Sequence, residues 1–225
     1  MAKGKLLTEG TNQFFTDQVE RGRETWQISQ LGHGGILITS RAEFSAPHPV
    51  APQGGSWNLT YEVDRAWSPV SLTLRVEQEG HVLNSTQRVA GDRWVAEIDN
   101  AGQVASYELP FSNKHEVDFG STLFNSVTLL RARLPVGASR DLDVIFVQPD
   151  SLVPAAVKQR YECLVEEKVQ VQAGSYRALK YQLTLPAEAT ARAYEFWADH
   201  AGIVLLYQSQ SDEIRLARYR RIERR

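Results

Sequence analysis

The residues able to do chemistry are few and scattered. The five histidines are His33, His48, His81, His115 and His200. No two are two, three or four positions apart, so no metal-ligand spacing exists and no metal site is expected. Four fall in turns or loops and His81 opens a strand, so each is expected at the surface. The single cysteine, Cys163, excludes an intramolecular disulfide and a cysteine-based zinc cluster. It lies in the strand-like run Tyr161–Val171 without a histidine close in sequence, so a buried, quiet thiol is expected rather than a nucleophile. Asp141 and Asp143 sit two apart on one strand face, an ordinary solvated pattern, and Glu97 and Glu195 read the same way. There is no nucleophile elbow, phosphate loop or dinucleotide fingerprint. Gly32-His33-Gly34-Gly35 has the glycines but no strand-to-helix context, and reads as a hairpin turn. The pattern supports no catalytic residue and no cofactor.

Two groups of side chains suit binding. Arg215, Arg218, Arg220, Arg221, Arg224 and Arg225 crowd the C-terminal end and could grip phosphates or an anionic head group. A charged strand edge that resists aggregation is the plainer reading. The aromatics Trp57, Tyr61, Trp94, Tyr107, Tyr181, Phe196, Trp197 and Tyr207 fall within strands, most of them as core. A large curved sheet can also enclose an apolar cavity, which suits acyl chains because burying methylenes needs no directional chemistry.

The elements that must position these groups are strands. Trp57, Leu59, Tyr61 and Val63 alternate with polar residues, as do Val70, Leu72, Leu74 and Val76. Each such strand meets a core on one side and water on the other. Ile36, Ile38, Ser40, Ala42 and Phe44 share one face of an earlier strand. Gly22 is expected to separate two strands within 11–31. Residues 46–55, with three prolines, form a loop. Turn signals at Gly80, Gly91-Asp92 and Asn100-Ala101-Gly102 recur about every ten residues, as in a sandwich or barrel. Residues 118–134 break the pattern: Leu123, Phe124, Val127, Leu130, Arg131 and Leu134 have helical spacing, with Ser121 as N-cap and Pro135 and Gly137 as stop. One amphipathic helix is expected there, packed on the sheet. After it come Leu142–Val147, Tyr161–Val171 with a bulge or turn at Glu166-Glu167-Lys168, Gly174–Leu185, a hairpin over Tyr194–Tyr207, and Glu213–Ile222. The fold class is mainly β, a large curved antiparallel sheet forming a half or incomplete barrel with one main helix. Residues 1–225 read as one β-rich domain.

Composition narrows the partners. The chain has 225 residues, 42% hydrophobic, with a formal net charge of −2. Such a balance supplies no bulk attraction to nucleic acid or acidic membranes. No stretch approaches the ~20 apolar residues of a membrane helix. Met1–Glu9 lacks the apolar core of a signal peptide, so a cytoplasmic location is expected.

The segment Val169-Gln170-Val171-Gln172-Ala173-Gly174-Ser175-Tyr176-Arg177-Ala178-Leu179-Lys180-Tyr181, with Tyr194-Glu195-Phe196-Trp197-Ala198 and Gly202-Ile203-Val204-Leu205-Leu206-Tyr207, resembles bacterial families of uncharacterised function. They share the fold of lipoprotein carriers and of proteins described as glycolipid-binding. The resemblance implies a strongly curved antiparallel sheet with a helix against its concave side, and a lipid, glycolipid or other amphipathic small molecule as ligand. On this reading the protein is a non-enzymatic binder. Trp57, Tyr61, Leu72, Leu74, Trp94, Tyr181, Leu183 and Phe196 are the expected apolar lining, by strand period. Two other readings stand beside it. One is a structural or partner-binding module, homodimeric through an edge strand or aromatic patch. The other is an enzyme assembled from several strands.

Overall fold

The structure is a computed structural model that describes residues 4–48, 53–185 and 193–222. The first eight strands are β1 (Lys5–Thr16), β2 (Val19–Gln30), β3 (Ile36–Phe44), β4 (Gly55–Val63), β5 (Pro69–Gln78), β6 (His81–Ala90), β7 (Arg93–Asn100) and β8 (Gln103–Pro110). A short β9 (Glu116–Asp118) leads into helix α1 (Thr122–Ala132). Six strands follow: β10 (Ser139–Val147), β11 (Pro154–Val171), β12 (Gly174–Thr184), β13 (Ala193–Ala198), β14 (Val204–Gln208) and β15 (Asp212–Arg221). All fifteen make one sheet in the order β8-β7-β6-β5-β4-β3-β2-β1-β15-β14-β13-β12-β11-β10-β9. The sheet is strongly curved but not closed. Every pairing is antiparallel except β9 with β10. This is the incomplete barrel that the alternating runs require.

The period-2 pattern decides which side chains enter the core. Ile38, Tyr61 and Leu72 lie side by side across β3, β4 and β5, as do Ser40, Leu59 and Leu74 one step along. All six are buried. Their strand neighbours Thr39, Thr60 and Thr73 form a polar row on the convex face. The concave side holds two apolar groups. The larger is built mostly on β2–β7 with Phe119, Phe124 and Val127. The smaller is built on β10–β14 with Leu129 and Leu134.

Helix α1 lies inside the curved sheet and joins edge strand β9 to its neighbour β10. Its cap is as expected: the Ser121 hydroxyl accepts the Leu123 N–H. Its surroundings are not those of an amphipathic helix. Apart from Leu130 and Arg131 every residue of α1 is buried, including Thr122, Asn125, Ser126 and Thr128. The polar ones are bonded: Asn125 Nδ2 donates to Tyr161 Oη at 3.0 Å, and Ser126 Oγ accepts the Val204 N–H at 3.1 Å. A helix enclosed on nearly all sides needs such partners, because an unpaired buried polar group costs more than the bond returns.

Several expectations are corrected. Gly22 lies inside β2, and the turn falls at Asp17-Gln18, both with positive φ, as a two-residue hairpin requires. Gly22 serves close packing instead: an added Cβ would sit 2.6 Å from the Phe44 ring. The bulge in β11 lies between Cys163 and Val165 rather than at Glu166-Glu167-Lys168. His48 is buried against Phe14 and Phe44, not at the surface, and burial pulls its pKa down to about 4. Tyr107 is exposed on edge strand β8. Pro49 and Pro52 of the 46–55 loop, and Arg224 and Arg225, lie outside the described residues.

Candidate functional site

The meander brings three segments to one end of the sheet. Lys5, at the start of β1, pairs with Gln30 at the end of β2. The turn after Gln30 and the turn between β4 and β5 reach the same end, since alternate turns of a meander share a side. The first turn is closed by Leu31 N–H to Gly35 O at 2.8 Å, with Gly34 at φ 89°. In the second, Asp64 Oδ1 accepts the N–H groups of Ala66 and Ser68, both at 2.8 Å. That leaves Trp67 in the left-handed region, at φ 66°. The aromatic ring is held by its turn and packs against the edge of the apolar core.

Between these segments lies an open cleft of about 740 Å³, lined by Lys5, Gln30, Leu31, Gly32, Gly34, Ile36, Arg65 and Trp67. Its floor is the end of the concave core, where Ile36 is buried and Trp67 and Leu31 are half-buried. Its rim carries two cations and an amide. Arg65 Nε donates to the His33 carbonyl at 3.0 Å, which pins the guanidinium across Gly34. A Cβ on Gly34 would fall on that guanidinium, so the glycine makes room for it. Glu62 pairs with His33 at 3.5 Å, and Asp64 is committed to its own turn. The cleft offers an apolar floor with nitrogen donors at the rim, a combination suited to a molecule with an oily part and an oxygen-rich part.

Two of the buried polar groups lie around α1 and β9. At the start of α1, Glu24 is wholly buried. Ser121 Oγ donates to its Oε1 at 2.8 Å and Asn12 Nδ2 to its Oε2 at 3.1 Å. Burial raises its pKa, and bonds from Ser121, Ser40, Asn12 and Trp57 oppose that. Farther along, Glu116 pairs with Arg131 at 3.0 Å, and Gln159 Nε2 donates to Asp118 at 2.7 Å. Tyr161 Oη then donates to Gln159 Oε1 at 3.1 Å. Burial lifts Glu116 to about 7 and Asp118 to about 6. It also lifts Tyr61 well above its ordinary value, the Glu116 charge adding to the effect. Tyr61 Oη and Glu116 Oε2 are buried without a hydrogen-bond partner. These groups tie α1 and β9 to the sheet.

The eight residues expected to line a cavity are all core. Trp57, Tyr61, Leu72, Leu74 and Trp94 belong to the larger apolar group, and Tyr181, Leu183 and Phe196 to the smaller. Tyr61 packs on Phe124 at 4.8 Å, Trp57 on Phe119 at 5.3 Å, and Tyr181 stacks on Phe196 at 5.4 Å. None lines the mouth cleft. Cys163 is buried as expected, with its pKa raised by that burial. The C-terminal arginines are largely spent on partners: Arg215 on Glu213, Arg220 on Glu9 and Arg221 on Asp199. The residues that sequence reasoning missed are Lys5, Gln30, Arg65 and Trp67. A signal was present. Trp67 and Arg65 stand in a tight turn, where an aromatic has no strand face to fill.

Comparison with known proteins follows the geometry. A DUF1089 family protein of Pseudomonas aeruginosa is similar at 18% identity, over 82% of this chain and 89% of that one, with a TM-score of 0.53. A β-barrel-like protein from Brucella abortus, a domain of unknown function, is similar at 9% identity, over 98% and 100%, with a TM-score of 0.66. Both likenesses are of fold. No curated protein matches. The sequence profile of the family described as putative glycolipid-binding matches residues 22–211, and the chain belongs to that family.

Proposed function

We propose that this protein is a non-enzymatic binder of a lipid-like, amphipathic molecule, received at the open end of the curved sheet. The observation that carries the reading is the mouth cleft, where Arg65, Lys5 and Gln30 surround an apolar floor of Trp67, Leu31 and Ile36. Family membership supports the same ligand class. The polar part of the ligand bonds to the rim and the apolar part covers Trp67 and the exposed end of the core. Removing that surface from water stabilises the complex by about 25 cal/mol for each Å² buried.

The test is thermal unfolding with a panel of fatty acids, glycolipids and detergents below their micelle concentrations. A ligand at a hundred times its Kd should stabilise the fold by about 2.7 kcal/mol. Trp67→Ala should abolish the shift while leaving the fold intact. A panel with no stabilising member overturns the reading.

A second reading has its own observation. Edge strand β8 is exposed along nearly its whole length, with Val104 67% and Tyr107 37% exposed. An exposed edge of this kind, with Glu108 its one charged residue, is a template for strand addition by another chain. Sedimentation across a concentration range, with Val104→Lys as the blocking variant, separates it from ligand binding.

A further inference from the structure

We infer that the mouth cleft selects an acidic head group, a phosphate or carboxylate, over a neutral sugar. The inference deepens the proposed function and rests on it. Its grounds are the charge balance and hydrogen-bond state of the cleft. The lining contains Lys5 and Arg65 and no carboxylate. The two acids nearest in sequence are engaged elsewhere, Glu62 with His33 and Asp64 with the backbone of its own turn.

Many of the described cations are paired with carboxylates. Arg131 pairs with Glu116, Lys158 with Asp143, Arg160 with Asp141 and Lys180 with Glu195. Among the described residues neither Lys5 nor Arg65 has an ion pair. Arg65 is also oriented. Its Nε–H is held by the His33 carbonyl, so the remaining guanidinium N–H groups are the ones left for a ligand. A planar fork with adjacent N–H donors matches the two oxygens of a carboxylate or phosphate, and such charge-assisted pairs are about twice as strong as neutral ones. A sugar hydroxyl gains only neutral-strength bonds from the same donors. Lys5 adds a second charge to the same cleft, and Trp67 adds apolar surface for whatever links head to tail.

One chemistry could come from a lipid head or from a free anion, so the experiment has three probes. They are n-decyl phosphate, n-decyl glucoside below its micelle concentration, and inorganic phosphate, each titrated calorimetrically at low and moderate salt. The inference expects decyl phosphate to bind about tenfold or more tightly than decyl glucoside, an advantage that shrinks with salt. Arg65→Ala should remove the advantage, Arg65→Lys should restore part of it, and Lys5→Ala should reduce it. Both side chains are exposed, so the variants should keep the wild-type circular dichroism. Equal binding of the two amphiphiles, indifferent to Arg65→Ala, overturns the acidic-head inference and leaves the amphiphile reading standing. Inorganic phosphate binding as tightly as decyl phosphate upholds the anion site, assigns it to a free anion and overturns the amphiphile reading. Binding by none of the three overturns both.

Discussion

Ser121 and Glu24, 97 residues apart in the chain, meet at 2.8 Å inside the sheet. The same hydroxyl that caps α1 donates to a carboxyl group with no exposure to solvent. The helix is thereby fixed to β2 at its N-cap, and Asn12 on β1 holds the other oxygen. Glu24→Ala should leave both donors buried and unsatisfied and cost about 3 kcal/mol in urea unfolding. Ser121→Ala should cost about 1–2 kcal/mol. The double variant should fall short of the sum, because the two residues share one bond.

Stability should fall as pH rises through the weakly acidic range. Asp118 and Glu116 are lifted from ordinary carboxyl values of 3.8 and 4.5 to about 6 and about 7. The folded protein therefore holds these protons more tightly than the unfolded chain does. Their stabilising effect is complete below the unfolded values and is lost as pH rises through the folded ones, between about pH 4 and 7. Glu20 and Asp143 are shifted the other way by Arg23 and Lys158, but they are exposed. Buried His48, pulled down to about 4, opposes the decline over the same range, one group against two. Unfolding curves at several pH values should show the decline flattened in the double variant Asp118→Asn, Glu116→Gln.

Trp94 should matter more than its size alone suggests. It is fully buried, and its indole N–H donates to Gln87 Oε1 at 2.8 Å. Gln87 in turn donates to Ser85 and to the Leu152 carbonyl, which ties β6 to the turn before β11. Trp94→Ala removes the volume and one end of that chain, for about 3–5 kcal/mol. Trp57→Ala, in the same apolar group, should cost about as much. An unchanged melting temperature for either would place the side chain outside the packed core.

Gly10→Ala should destabilise without touching any charged group. Trp26 lies across Gly10 from the neighbouring strand, and an added methyl would collide with the indole. The Arg218 carbonyl, 2.8 Å from the same point, is backbone and cannot swing away, so the expected cost is about 1–3 kcal/mol. Trp26 fluorescence should shift with it.

Strand faces were legible because alternation is a local property. Trp57 through Val63 and Leu72 through Val76 state their buried side without reference to the rest of the chain, and the structure buries that side; at Val70 a register shift puts Pro69 in the core instead. Turns with glycine were legible at Gly80, Gly91 and Gly102 for the same reason. Gly22 misled because a glycine under a ring and a glycine in a turn look alike in one dimension. The surroundings of α1 were hidden: its polar residues find partners on β11 and β14 and at Glu24, far off in sequence. The mouth cleft was hidden too, since Lys5, Gln30, Arg65 and Trp67 converge only after the strand order is known.

The strand order also has a kinetic consequence. Nearly every pairing joins strands adjacent in sequence, so most of the sheet can form by zipping one hairpin onto the next. The pairing of β1 with β15 is different. Thr8 meets the Arg220 carbonyl across 212 residues, and Thr16 meets Asp212 across 196. Closing a loop of that length costs about 5 kcal/mol of chain entropy before any contact offsets it, unless the halves have already shortened it. Two hairpin ladders should therefore assemble first and meet late along a single seam. Destabilising that seam should slow folding far more than an equal insult within either ladder.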